Sequence, residues 1–497
     1  MTMLSSSNRF PLSVAVTVFL CYYVRLLLLP GFSLLQDPDV FWHIRTGEWI
    51  LDHAQFPTVD VFSYTANGKP WVPTEWLSEV FLALVYRSGG WQALVILTAA
   101  SGAAVVGIVC FYLLRHLRFS VAVGWSALTA IAVAPHFLAR PHIFSYLLLA
   151  VWLVKLLDAY DEGKNGSLPS LRALVPLMVI WANLHGSFTF GLALLYIFSG
   201  ILFLPGLRRR DPAICRHILL TVCIVSLSAL ATPYGMSAAL MTLELLDLKF
   251  TIPRIVELRS PDFQEHRAHL LLFIGLLAAV AATGARLKGA RLIAFGLVLF
   301  TGLSYLRGLV MFFLLAPLLF ARPLSHSVSW LRTQFSDKSA AAGTVSDPVF
   351  DFFRRRVIAV PVFCLLFASL TTVSLLWRKD IRPPERFAPR AALEFARSAR
   401  LTGNVFNSYN FGGFLLFSDV PTFIDGRALP FGDALLRQYF ETVNLIDIDA
   451  AFRTLDEYKI SWTILKPTEP LSKALSRSPR WNRAYADNDA VVFTRRP

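Results

Sequence analysis

The chain has 497 residues, 55% of them hydrophobic and only 16% charged, with a mean hydropathy of +0.54. Soluble domains carry about 25% charge, so the composition excludes a soluble globular enzyme and points to a chain that resides largely in a bilayer. The formal net charge of +14 calls for no nucleic-acid partner, because membrane proteins concentrate Lys and Arg in cytoplasmic loops and against anionic lipid.

A bilayer core about 30 Å thick takes about 20 helical residues to cross. The first apolar run covers 11–35. It follows Arg9 and shows no small-residue cleavage site before Pro30, so it reads as a retained first helix and not a cleaved signal. Runs at 91–113, 121–138, 216–232, 267–283 and 357–377 pass the same test. Shorter or interrupted runs lie at 143–157, 171–184, 187–205, 291–306 and 308–320. Together they predict a polytopic α-helical membrane domain over 1–378 with about eleven transmembrane helices, some broken where protein or a cavity can satisfy the backbone. The five cysteines (Cys21, Cys110, Cys215, Cys223, Cys364) lie in or beside these runs without metal spacing and read as packing residues.

Basic residues set the orientation. Arg115 with Arg118, the arginines at 208–210, the group Arg286, Lys288 and Arg291, and those at 354–356 fall in alternate loops. Placing them in the cytoplasm puts the N-terminus inside. It puts loop 36–90, Arg140, His142, His185, 233–266 and Arg307 outside, together with 379–497. In a bacterium this is an inner-membrane protein with a periplasmic C-terminal domain. Residues 335–347 are small and polar and predict a flexible cytoplasmic loop.

Residues 37–76 are the chemically rich segment, a polar, acidic and aromatic loop between apolar runs. Asp37 fits a helix N-cap, Pro38 the first helical position and Asp39 the first turn of a helix to about His53. Asp39, Trp42, His43, Thr46, Trp49 and Ile50 then share one face. A carboxylate and an imidazole one turn apart beside indole rings suit sugar chemistry: rings stack on sugar faces and a carboxylate takes a hydroxyl proton. The same residues also fit acidic helix capping and an interfacial aromatic belt. In nucleotide-sugar transferases a D-x-D pair holds a metal on a diphosphate, but the cytosolic nucleotide-binding domain that such enzymes need is absent. Outside the cytoplasm a lipid-linked donor is the physical alternative. Asn67-Gly68 marks a turn, and Glu75-Trp76 opens a short helix to about Tyr86 that lies at the interface. Asp60, Glu75 and Glu79 are candidate second carboxylates; loop capping is their structural reading.

Near Asp380 the composition turns polar, and RKDIRPPERFAPR reads as a linker. Beyond it the pattern predicts a small soluble α/β domain. Helices are expected at 389–400, 433–446, 449–458 and 471–477, extended segments at 404–406, 421–424 and 461–465, and a hairpin at 481–494 turning near Asp487-Asn488. No Walker loop, Rossmann fingerprint or catalytic triad is present, so ATP-driven transport has no support.

The order D-P-D-x-x-W-H-I-x-x-G-x-W-I, then P-x-x-D-x-F-S-Y-T-x-x-G-x-P-W, then E-W-L-x-E resembles a bacterial inner-membrane branch of the GT-C glycosyltransferase superfamily. Its layout is similar to that of aminoarabinose transferases and protein O-mannosyltransferases. Arg140-Pro141-His142, Trp181-Ala182-Asn183-Leu184-His185-Gly186, Glu257 with Ser260-Pro261-Asp262-Phe263, and Arg307 extend the resemblance. So do Gly403-Asn404-Val405-Phe406-Asn407, Gly412-Gly413-Phe414 and Phe423-Ile424-Asp425-Gly426-Arg427, over about 37–495. Phe41 and Leu258 depart from it where Trp is common.

The resemblance implies a GT-C-like fold and inverting transfer from a polyprenyl-phosphate-linked sugar on the outer face to a glycan, lipid or protein acceptor. It implies Asp39 as the base, with Asp37 as the second choice for that role; Asp60 stays a candidate second catalytic carboxylate from its place in the loop. His43, Arg140, Arg307 and Lys69 become candidates for the donor phosphate. Trp42, Glu75, His142, His185, Asp425 and Arg427 become candidates for substrate contact. A divalent metal is possible but not favoured, and no metal ligands are assigned. The histidines also read as hydrogen-bonded packing residues, and Asp425 with Arg427 as an internal salt bridge. The competing classes are a lipid-linked sugar flippase or exporter and a noncatalytic envelope scaffold.

Overall fold

A computed structural model describes residues 9–29, 33–162, 168–208, 210–336 and 348–496. Apolar runs become helices because only an internally hydrogen-bonded backbone is tolerated in hydrocarbon. The first half of the order is α1 (Arg9–Leu27), α2 (Asp39–His53), α3 (Trp76–Leu114), α4 (Phe119–Val133), α5 (His142–Glu162), α6 (Leu171–Leu184) and α7 (Phe188–Arg208). It continues with α8 (Pro212–Ser228), α9 (Met236–Asp247), α10 (Arg267–Thr283), α11 (Ala290–Ser304), α12 (Leu306–Ser336), α13 (Pro348–Arg355) and α14 (Ala359–Leu376).

Among the described residues, seven helices are long and apolar enough to cross a membrane: α1, α3, α4 with its continuation to His136, α5, α7, α12 over Leu306–Ser327, and α14. Four more, α6, α8, α10 and α11, are apolar but shorter. The apolar stretches expected from the sequence coincide with these eleven helices, of which seven have spanning length. Much of the predicted loop 335–347 lies outside the described residues; its first two positions end α12.

Within α3 the backbone breaks at Gly89 (φ −159°) and Gly90 (φ 61°, ψ −149°). The Gly90 conformation is open essentially to glycine alone. The break separates the short helix expected after Glu75 from the spanning segment, so α3 carries loop residues at one end and crosses with the other. Segment 36–75 folds over the bundle end on which α2 lies.

The C-terminal region forms a small sheet domain. Its helices are α15 (Arg390–Ser398), α16 (Gly412–Phe417), α17 (Gly432–Val443), α18 (Ile448–Glu457) and α19 (Pro470–Leu475). Its strands are β1 (Asn404–Asn407), β2 (Ile460–Leu465), β3 (Trp481–Ala486) and β4 (Val491–Arg495), in the order β1-β2-β4-β3. β1 and β2 run parallel with Val405 opposite Trp462; β4 is antiparallel to both its neighbours. Asp487 closes the β3–β4 turn by accepting from the amides of Asp489 (2.8 Å) and Ala490 (2.7 Å). Segment 421–424, expected to be extended, joins no sheet; Thr422 makes an isolated bridge with Ser63 of the first loop.

That bridge belongs to a broad seam. The Tyr64 hydroxyl donates to the Val405 carbonyl (2.8 Å) and Thr65 to Phe423 (2.6 Å). Phe41 of α2 meets Phe414 and Phe417 of α16, with ring centroids 5.4 and 5.5 Å apart. The principal apolar core runs without interruption from the spans through Phe41 into Ala392, Val405, Phe411 and Trp462. The sheet domain is thus seated on the loop that carries the site.

Candidate functional site

One guanidinium organises the loop end of the bundle. Arg140 lies in the turn before α5. Its Nη1 is 2.8 Å from Asp37 Oδ2 and 2.5 Å from Glu257 Oε1, and its Nη2 is 2.8 Å from Asp39 Oδ2. Asp39 opens α2 and Glu257 sits in the short turn Val256–Leu258. Arg307, in the first turn of α12, pairs with the other oxygen of Glu257. The expected N-cap role of Asp37 is realised one position early: Pro38 is the cap residue, and Asp37 Oδ1 accepts from the Asp39 amide at 2.8 Å.

The environment separates these carboxylates chemically. Burial pushes Asp39 up to about 7, with Arg140 opposing and the charges of Asp37 and Glu257 adding to the rise. Burial would also raise Glu257, but Arg140 and Arg307 together outweigh it and bring it to about 2. Burial likewise disfavours the charge on Arg140, yet Asp37, Glu257 and Asp39 hold it well above the ordinary arginine range. Two acids on one guanidinium therefore play different parts. Arg140 and Arg307 favour the anionic form of Glu257, whereas burial favours the protonated form of Asp39.

Behind this cluster runs a row of imidazoles and carboxylates. His43 Nδ1 is 3.2 Å from Glu79 Oε1 and its Nε2 is 4.0 Å from Glu75 Oε2. Glu75 Oε1 lies 3.2 Å from His185 Nε2. The Ser187 amide donates to His185 Nδ1 at 3.0 Å, so the neutral ring carries its proton on Nε2, facing Glu75. Burial, then Arg140, lowers His43 well below its ordinary value, and burial with Arg307 and Arg140 brings His185 to about 3. Burial thus favours the neutral form of both rings, with His43 held between Glu79 and Glu75 and His185 beside Glu75. Burial raises Glu75 to about 7 against Arg140 and Arg307. His142 is packed, its Nε2 3.0 Å from the His136 carbonyl.

A third group joins the sheet domain to the loop. Arg427 Nη1 is 2.5 Å from Asp60 Oδ1, and its Nε and Nη2 grip Asp425 at 2.8 and 2.7 Å. All three side chains are fully buried, and the guanidinium lies over Trp71 at 4.7 Å. Asp60 also accepts from the amides of Phe62 and Ser63, both at 3.2 Å. The structural reading of Asp425 with Arg427 fits this geometry, and Asp60 belongs to the same clamp, apart from the Arg140 cluster. Lys69 is exposed on the 66–69 turn and has none of the cluster's ion pairs among the described residues.

The clamp sets the adjacent Gly426 against the site. A β-carbon there would overlap Asp39 Oδ1 and lie 3.1 Å from the Trp42 indole nitrogen. That nitrogen is buried beside the Asp39 carboxylate, whose charged form it favours, and the Trp42 ring lies on His43 with centroids 3.5 Å apart. Tyr409 of the sheet domain is also near Asp39: its phenol is raised by burial and by the Asp39 charge.

Sequence reasoning placed Asp37, Asp39 and Arg140 at one face of the membrane, and the structure brings them together. It left Glu257 out of the candidate set, although Glu257 bridges both arginines. The available signal was an acid between Arg254 and Arg259 in a loop otherwise flanked by apolar runs. Among the described residues no group of three or more His, Cys, Asp or Glu is arranged to hold a metal. The three carboxylates converge on Arg140.

No protein-family model and no curated relative matches the chain. Solved structures do. The oligosaccharyltransferase of Archaeoglobus fulgidus, tethered with an acceptor peptide containing the NVT sequon, aligns with a TM-score of 0.54 and 12% identity over 93% of this chain and 70% of its own. The archaeal oligosaccharyltransferase AglB from the same organism, with an inhibitory peptide and a dolichol-phosphate, aligns at 0.53 and 11% identity over 91% and 69%. ArnT from Cupriavidus metallidurans in the apo state aligns at 0.50 and 17% identity over 96% and 97%. At these identities the likeness is one of fold: a helical membrane domain followed by a small sheet domain.

Proposed function

We propose that this chain is a membrane glycosyltransferase. It moves a hexosyl or pentosyl group from a polyprenyl-phosphate-linked donor to an envelope acceptor, on the periplasmic face of a bacterial inner membrane. The arrangement that carries this reading is Asp39, poised near neutrality 2.8 Å from Arg140, at the loop end of a GT-C bundle. The AglB complex with dolichol-phosphate supports a lipid-phosphate donor.

In this reading the acceptor hydroxyl oxygen attacks the anomeric carbon while its proton passes to an Asp39 carboxylate oxygen. The bond from the anomeric carbon to the phosphate oxygen breaks on the opposite side, inverting the centre. The electron pair leaves on polyprenyl phosphate. General-base help of this kind is worth roughly 10²–10⁴-fold. Arg307, with Glu257 as its carboxylate partner and 24% of its side chain exposed, binds phosphate oxygens, and Arg140 adds a second fixed charge. Glu257 orients both arginines. Trp42 offers a ring to the sugar, and the His43–Glu75–His185 row positions the acceptor side. Asp425, Arg427 and Asp60 hold Gly426 against Asp39.

Asp39→Asn keeps the size and hydrogen-bonding capacity of the side chain but removes the base. Mass spectrometry of envelope glycans and polyprenyl-phosphate sugars should show the product lost and the donor accumulated, with normal membrane insertion. Wild-type product in that variant excludes Asp39 as base. Arg307→Ala should raise the KM for donor more than it lowers kcat; an unchanged KM assigns the phosphate elsewhere.

A further inference from the structure

The far end of the same bundle carries a second charged cleft that plays no part in the proposed reaction. It has a volume of about 440 Å³, in the range of small-molecule sites, and is lined by Arg286, Lys288, Arg291, Arg322 and Asp161 among others. Asp161 lies near the last residue of α5, whereas His142 begins that helix. At 1.5 Å per residue they stand roughly 28 Å apart, so the cleft and the Arg140 cluster occupy opposite ends of the spans.

The cleft is built. Arg291 pairs with both oxygens of Asp161, at 2.6 and 2.7 Å, and its side chain is only 7% exposed. Arg322 approaches the same carboxylate at 3.0 Å. The loop joining α10 to α11 is pinned from beneath, because Ala285 and Leu287 pack against Val280, Phe320 and Leu324. That packing holds Arg286 and Lys288 at the rim, both exposed. Asp161 is engaged by Arg291 and Arg322, leaving Arg286 and Lys288 without a carboxylate partner among the described residues. Four cations thus face one carboxylate, and the surplus is positive.

The flanking helices identify the ligand. Leu292 and Ile293 of α11 and Leu277 of α10 are exposed large apolar side chains on the turns of these helices toward this loop. A soluble anion has no use for those faces, whereas a phospholipid places its phosphate on the cations and its chains along the helices. Basic pockets at helix ends bind anionic headgroups in this way. From this juxtaposition we propose that the cleft at the α5–α11–α12 end is a binding site for the headgroup of an anionic phospholipid. The proposal is independent of the transfer chemistry and stands or falls separately from it.

The test uses the full-length protein in mixed micelles with equal phosphatidylglycerol and phosphatidylcholine, with retained lipid counted by native mass spectrometry. The wild type should retain phosphatidylglycerol preferentially. Arg286→Ala with Lys288→Ala should reduce that retention roughly twenty-five-fold, from about fivefold per cation. Arg354→Ala with Arg355→Ala, cations outside the cleft, should leave it unchanged. Equal retention of the two lipids, an unaffected rim variant, or an equal loss in the control pair overturns the site. Hydrogen exchange of 284–289 in the wild type needs no substitution; it should slow in phosphatidylglycerol nanodiscs relative to phosphatidylcholine, and no difference also overturns it. Inorganic phosphate should not reproduce that slowing. If it does, the cleft takes a soluble anion and the lipid assignment fails.

Discussion

At the scale of residues, the informative contrast is between two acids on one arginine. Asp39 is raised to about 7 because burial outweighs Arg140, while Glu257 is lowered to about 2 because two arginines outweigh burial. In the proposed reaction Asp39 acts in its ionised form, so activity should rise with pH as it loses its proton. The acid limb of kcat/KM should therefore lie near 7, not near the ordinary aspartate value of about 4. Glu257→Gln removes an anion that disfavours ionised Asp39, so the limb should move to lower pH, by roughly half to one unit. A pH–rate profile of the two proteins checks the sign; a limb that stays in place or moves up rejects the coupling. The sequence made half of this cluster legible. Helical spacing put Asp39, Trp42 and His43 on one face without any tertiary information. Spacing says nothing about Arg140 meeting Asp37 and Glu257, or Arg307 meeting Glu257, because these pairs are separated by 103, 117 and 50 positions. Only the closed bundle brings those loop ends together.

At the scale of elements, the buried Asp60–Arg427–Asp425 clamp ties the sheet domain to the loop that carries Asp39. With all three side chains fully buried, Arg427→Ala would leave two carboxylates buried without a cation, a loss of about 3–5 kcal/mol. The expected result is a lower thermal midpoint, easier proteolysis within 379–389, and lost transfer activity as Gly426 leaves Asp39. Adding Asp60→Asn and Asp425→Asn should recover much of the stability. If the single variant matches wild type in midpoint and proteolysis, the clamp does not hold the domain. Most elements of this domain were readable because period-2 and period-3.6 patterns alternate after the linker. Segment 421–424 reads as a strand because its residues are apolar and β-branched, yet its partner is Ser63 in a loop and not a sheet edge. Helix α16 escaped prediction because it is short and begins with Gly412-Gly413. Those glycines serve close approach: a β-carbon on Gly413 would lie 2.7 Å from the Pro38 carbonyl.

At the scale of the molecule, the two ends of the bundle carry different chemistry, and their assignment to the two faces decides which donors are reachable. The sequence located the apolar runs well because the hydrocarbon core imposes length and composition together. It could not separate seven helices of spanning length from four shorter ones, since a helix sheltered by neighbours need not match the bilayer alone. Orientation rests on the basic loops, and the fold adds a constraint. Ser63 bridges Thr422, so loop 36–75 and the sheet domain must share a face, while Arg286 lies at the opposite end. A chain without its five cysteines, given one cysteine at Lys69, Lys473 or Arg286, therefore makes a sharp prediction for a membrane-impermeant maleimide. Lys69→Cys and Lys473→Cys, both at exposed positions, should label in intact spheroplasts, and Arg286→Cys only after permeabilisation. Labelling of the first two on different faces would contradict the seam between loop and sheet domain. Reversal of all three would turn Asp39 and Arg140 toward the cytoplasm, where nucleotide sugars are plentiful, and would remove the physical reason for a donor that must be carried on a lipid.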